Sequence, residues 1–260
     1  MVYKAAKNIS PLGKAPRRPF ELPDLDCLIP LLEASEPEDL AVIACAAILF
    51  YGMARIGELT VSSPVDPSHP PITPSTVRMF PSIPALRAGP RIELHLPFDK
   101  VQRHQGDFIT IVPQSGKGPC PYNLLSLHLQ TNPPQDQPLF SYQSKGRWVP
   151  LTRSRFLSRV NQTLKAADRP PVSGHSFRIG GATHYLLEGI PPETVKVIGR
   201  WKSTSFERYW RQVNLIAARA MSGDVAWPSS PGGAPSVQGY GQSEEFEMAF
   251  DELASAEGDL

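Results

Sequence analysis

His175-Ser-Phe-Arg178-Ile-Gly-Gly-Ala-Thr183 decides how this chain reads. A histidine and an arginine stand three residues apart and lead into a run predicted to be helical over Phe177–Glu188. Downstream come Ile198-Gly-Arg-Trp201-Lys-Ser203 and then Arg208-Tyr209-Trp-Arg211. Far upstream, just after a long apolar segment, stands Arg55-Ile-Gly-Glu58-Leu59. Between them Lys100 sits in the connection between two alternating stretches. Taken singly these residues are ordinary. A lone arginine is usually a solvated charge, and a lone tyrosine or tryptophan is usually packing. Their combination and order are not ordinary.

The set resembles the tyrosine recombinases, the phage-integrase family, whose pattern runs Arg, hairpin Lys, His-x-x-Arg, His or Trp, then Tyr. The wording is similar to that of recombinases from eukaryotic mobile elements, the DIRS-like and Crypton types. There Trp commonly holds the fifth position within a GRW-S segment, and Arg closely follows the Tyr. The resemblance covers roughly residues 17–212 and fills six positions: Arg55, Lys100, His175, Arg178, Trp201 and Tyr209. Glu58 takes the place of the family's supporting acid, which anchors local helix structure or orients the first arginine. The resemblance implies an α+β fold: a mainly helical catalytic domain with a small antiparallel sheet or hairpin. It implies a site-specific recombinase or integrase that breaks and rejoins DNA through a 3′-phosphotyrosyl intermediate during mobile-element integration or excision. Its partner would be double-stranded DNA, bound as a homo-tetramer, and its location nuclear.

Elementary chemistry agrees. A phosphodiester is an anion that repels nucleophiles, so breaking it requires neutralising charge on the non-bridging oxygens. Guanidinium groups suit this, presenting a planar fork that never deprotonates; Arg55 and Arg178 take that role. A phenol of pKa about 10 is largely protonated at neutral pH, and nearby cations or a base would activate Tyr209. Lys100 would protonate the leaving 5′-oxygen as a general acid, although Arg103, His104 and Lys117 stand in the same region. His175 would act as general acid/base, its ordinary pKa lying near neutrality. The Trp201 indole donates through its N–H and transfers no proton, so it positions rather than shuttles.

Composition bounds these readings. The 260 residues, 41% hydrophobic, suffice for one large domain or two small ones. The net charge of +1 conceals an asymmetry. All 26 Lys and Arg lie in 1–219 with 17 of the 25 acids, a balance of 26 − 17 = +9, whereas 220–260 carry eight acids and no Lys or Arg. A basic body suits a polyanion, and an acidic tail suits an interaction or shielding segment. The longest apolar run, Leu40–Phe50, is too short to span a bilayer. No secretory leader is visible, so no membrane association is expected. Cys27, Cys45 and Cys120 fit neither a disulfide framework nor a zinc site, which points to a reducing compartment. No metal, no cofactor and no small-molecule substrate are expected, since neither ligand clusters nor a Gly-rich phosphate loop occur.

Three parts are expected: a basic, Pro-rich lead-in at 1–22, the catalytic domain at 23–226, and a Pro/Gly/Ser linker with an acidic tail at 227–260. Helices are predicted at Leu25–Leu32, from Glu36 to about Met53, at Cys120–Gln130, Thr152–Ala167, Phe177–Glu188, Pro192–Ile198, Thr204–Arg211 and Asn214–Gly223, with a short acidic one at Glu244–Ala256. The second, apolar all round, should be central to the core. Arg91–Leu96 and Asp107–Val112 alternate as a hairpin. Residues 62–90, rich in proline, read as loop with one short strand at Thr76–Phe80. They are either a DNA contact or decoration.

Family members carry a helical DNA-clamping domain before the catalytic one, and here too little chain precedes residue 24 to hold it. A fragment, a shortened product or a partner-dependent derivative is therefore expected. Two further readings stay open. One is a DNA-binding regulator derived from a recombinase with its chemistry lost. The other is a type IB topoisomerase, which shares the chemistry.

Overall fold

The computed structural model describes residues 17–62, 70–86, 89–97, 107–114 and 118–201. All belong to the first of two units, Met1–Ala226 and Trp227–Leu260. Lys100, Tyr209, the helices expected after Trp201, the linker and the acidic tail lie outside the described residues.

Helix α1 spans Leu22–Leu31, α2 Pro37–Tyr51 and α3 Ile56–Leu59. The run that reads as apolar all round is α2, and every residue from Asp39 to Tyr51 is buried. Proline fills its first turn, where no N–H partner is needed, with Glu38 and Asp39 at the positive end of its dipole. Around it pack α1, α4 (Pro121–Gln130), α5 (Arg153–Ala166), α6 (Gly174–Leu187) and the strand β4 (Tyr142–Ser144). Each buried Leu, Ile or Phe contributes about 1.5–3 kcal/mol on leaving water, so α2 is the fold's main apolar investment. Its polar end is satisfied by Arg159, whose Nε and Nη2 donate to the Asp39 carboxylate at 2.8 and 2.7 Å.

Strands β1 (Val77–Phe80), β2 (Arg91–Leu96) and β3 (Asp107–Ile111) form an antiparallel sheet in that order. Ile92 pairs with Ile111 and Leu94 with Ile109. All four are buried, while Arg91, Glu93 and His95 alternate to the other face. The expected strand at Thr76–Phe80 begins one residue later, because Pro74–Thr76 forms a 3₁₀ turn.

A second hairpin escaped the sequence reading. β4 pairs with β5 (Arg147–Val149) across Lys145 and Gly146, which have φ of 50° and 72°. Two left-handed residues make the tight turn whose twist matches its strands.

Helix α1 starts at Leu22 rather than Leu25. The cause is Asp24, fully buried, which accepts the Glu21 N–H at 2.8 Å and is clasped by Arg18 (2.7 and 3.0 Å) and Arg169. Helix α6 also starts early, at Gly174 rather than Phe177, because the Ser176 hydroxyl accepts the Ser173 N–H at 3.1 Å and secures the first turn. His175 therefore lies inside the helix. The paired glycines after Arg178 mark two close crossings. A Cβ on Gly180 would sit 1.6 Å from the Phe20 carbonyl oxygen, and one on Gly181 2.0 Å from that of Phe50. Helix α6 is pressed between two backbones, and only glycine admits both.

Candidate functional site

The site grows from the C-terminal end of α2, where main-chain carbonyls lose their helical partners and carry the negative end of the dipole. After Gly52 the chain reverses through Met53, whose φ of 44° is left-handed. Three successive carbonyls there accept hydrogen bonds from distant side chains. Tyr185 donates its hydroxyl to Tyr51 O at 2.9 Å, Arg200 reaches Gly52 O at 3.3 Å, and Arg178 reaches Met53 O at 2.6 Å. Burial raises the Tyr185 phenol well above its ordinary range, which keeps it a donor.

Arg178 is the hub. It is 1% exposed, and its second donated bond, from Nη2, goes to Gly199 O at 2.6 Å. Its guanidinium carbon lies 4.1 Å from the centroid of the Trp201 ring. Arg178 thus binds the end of α2, the end of α7 (Pro192–Ile198) and an aromatic face together. His175 precedes it by one helical turn on α6, on the same face, and is half-buried.

Trp201 reaches the guanidinium because of how α7 stops. Arg200 adopts φ 60°, its N–H bonds Val197 O at 2.9 Å, and the Trp201 N–H bonds Lys196 O at 3.0 Å. This is the two-bond left-handed termination usually built on glycine. It folds Trp201 back into a small apolar cluster with Met53, Ala182, Leu186 and Val195.

Arg55 stands just before α3 and is the more open of the two arginines, its side chain 36% exposed. Glu58 holds it twice: Oε2 accepts the Arg55 main-chain N–H at 2.8 Å, and Oε1 pairs with Nη1 at 2.8 Å. The same Oε2 accepts from Arg200 Nη2 at 2.6 Å. Thus Arg55, Glu58, His175, Arg178 and Trp201 gather at one end of α2, whereas Lys100 and Tyr209 lie outside the described residues.

The structure adds residues that sequence reasoning passed over. Arg200 carried a weak signal, lying between two motif residues. Met53 carried none, since a left-handed turn at methionine has no compositional mark. Among the described residues no cluster of three or more His, Cys, Asp or Glu could hold a metal ion, and no described helix is long and apolar enough to cross a membrane.

No family model and no curated protein matches the sequence. Solved structures do. XerA recombinase superposes with a TM-score of 0.51 at 19% identity, over 85% of this chain and 70% of that one. A Flpe–Holliday junction complex gives 0.46 at 13%, over 78% and 49%, and the Tn1549 transposon integrase with circular intermediate DNA gives 0.46 at 13%, over 83% and 68%. The chain spans about half the length of the Flpe protein. Its mixed helical architecture with small antiparallel sheets is the fold of the tyrosine recombinase catalytic domain.

Proposed function

We propose that this chain is a tyrosine recombinase that breaks and rejoins double-stranded DNA through a 3′-phosphotyrosyl bond at Tyr209. One observation carries the reading. Arg178 ties Met53 O and Gly199 O, 125 and 21 residues away, to the Trp201 face, and so draws three separate segments of the motif to one point. Such a preorganised cationic centre suits a phosphate whose charge builds during displacement. The shared XerA fold supports the same reading.

In this mechanism the Tyr209 oxygen attacks the scissile phosphorus and the P–O5′ bond breaks. Lys100 gives a proton to the departing 5′-oxygen. Arg55 and Arg178 neutralise the non-bridging oxygens, His175 serves as general acid/base, and Trp201 positions. The phosphotyrosyl ester preserves the phosphodiester's energy, so the returning 5′-hydroxyl reseals the strand without ATP. We extend the proposal to mobile-element DNA of DIRS-like or Crypton type, a nuclear setting, and a homo-tetramer on two DNA sites.

A catalytically silent DNA-binding derivative is the second reading, favoured by Arg178 being 1% exposed with two N–H groups committed to main-chain carbonyls. A covalent trap separates the two. Wild-type chain and Tyr209→Phe are incubated with a duplex pool of randomised core sequence, nicked to prevent resealing. Recombinase chemistry gives a protein–DNA adduct with wild type and none with Tyr209→Phe. Absence of adduct with both, while the pool is still bound, establishes the silent derivative. An adduct that persists in Tyr209→Phe refutes the nucleophile.

A further inference from the structure

We propose that Arg200 is a positioning residue, a latch that fixes Arg55 and Trp201 with respect to Arg178. Its role in the reaction rests on the recombinase reading above, but the latch itself does not.

Four observations meet at this residue. Its backbone is left-handed, φ 60°, at a position where glycine is the favoured occupant, so a long side chain there is retained against backbone preference. That side chain is 6% exposed and is held at both ends of its fork, by Glu58 at 2.6 Å and Gly52 O at 3.3 Å. Glu58 is in turn shared with Arg55, at 2.8 Å on the other oxygen. Finally, the two residues flanking Arg200 serve Arg178 directly, Gly199 through its carbonyl and Trp201 through its ring.

Electrostatics gives the latch its consequence. Glu58 carries one negative charge beside the cations Arg55 and Arg200. With both present, part of its charge is answered by Arg200, and less of the Arg55 field is cancelled at a bound anion. Without Arg200 the carboxylate is balanced by Arg55 alone, which is drawn toward it and away from a phosphate. The Arg200 guanidinium touches no reacting atom in this scheme and acts through Glu58.

Arg200→Gly separates a latch from a simple helix terminus, since glycine satisfies the left-handed backbone better than arginine does. Hydrogen exchange over residues 52–60 reads the latch without DNA. Loss of a charge-assisted pair should speed it by about tenfold or more, and Arg200→Lys, which keeps the charge, should recover part of that protection. Adduct formation on the nicked randomised pool should slow by a similar factor. Unchanged exchange over 52–60 in Arg200→Gly overturns the latch. If Arg200→Gly does not fold, Glu58→Gln must show the same faster exchange, and its failure to do so is equally decisive. Wild type that forms no adduct refutes the recombinase reading alone, because exchange still decides the latch. Faster exchange with an unchanged adduct rate overturns the positioning role.

Discussion

The guanidinium carbon of Arg178 lies over the indole of Trp201, 4.1 Å from the ring centroid, and both residues are buried. A desolvated cation over tryptophan is the strong form of this contact, about 2 kcal/mol or more. Trp201 also fills the cluster containing Met53 and Val195. Trp201→Ala should therefore destabilise the chain by about 3–5 kcal/mol, and Trp201→Phe, which keeps an aromatic face, by clearly less. Urea unfolding measures both. Equal losses would mean that the aromatic face kept by Phe contributes nothing and would refute the cation–ring contact as a stabilising one.

The two glycines of α6 give a sharper steric test. Each would place a Cβ against backbone oxygen, which cannot move aside as a side chain can. Gly180→Ala and Gly181→Ala should each cost several kcal/mol or abolish soluble expression, on the order of an overpacked core or more. Gly57→Ala, with nothing within 4 Å of its Cβ, should change the melting temperature little. A Gly180→Ala chain as stable as Gly57→Ala would refute the close crossing.

Acid should undo the two carboxylate clasps. Burial pushes the Asp24 carboxyl up, but hydrogen bonds from Arg18, the Glu21 N–H and Arg169 outweigh it and hold the pKa below the ordinary 3.8. Asp39 is likewise lowered, burial being outweighed by Arg159 and the Glu33 N–H. A depressed folded value stabilises above the unfolded pKa, and that stability drains as pH falls from about 3.8 through the lower folded values. Denaturation midpoints measured between pH 6 and pH 2 should drop steeply below pH 4 in wild type. The slope should be shallower in Asp39→Asn, and an identical slope contradicts the assignment.

Lys100 is testable through the leaving group. A 5′-alcohol needs a proton as it departs, whereas a 5′-thiol, with a pKa of about 8.5, leaves as the thiolate. Lys100→Ala should be severely slowed on an ordinary nicked duplex and restored toward wild type on a 5′-bridging phosphorothiolate. Equal impairment on both would assign the proton to another residue, with Arg103, His104 and Lys117 the next to examine.

Where pattern and packing coincide, the chain was legible. Leu40–Phe50 reads as a core helix because it is apolar all round, and α2 is buried all round. Arg91–Leu96 reads as a strand because its alternation has period two, and its burial alternates in step. His175 and Arg178, three apart, fall on one helical face. Features that depend on a distant partner were hidden. Neither the backbones of Phe20 and Phe50 pressing on the two glycines nor the Glu58 carboxylate sharing two arginines has a local signature. The β4–β5 hairpin was missed for a local reason: its strands are three residues each, too short for alternation to register. The early start of α6 has a local signature in Ser173 and Ser176, whose spacing of three suits a capped first turn.

The burial of α2 from Asp39 to Tyr51 has a consequence for synthesis. Its last residue, Tyr51, leaves the ribosome 123 positions before Gly174, the first residue of the last of the elements packed around it. At roughly 5–20 residues per second this apolar rod waits about 6–25 s for its packing to be completed. The nascent chain is thus a client for holding chaperones during that interval, and ribosome-bound chains halted before α6 should crosslink to them while chains extended past residue 201 should not.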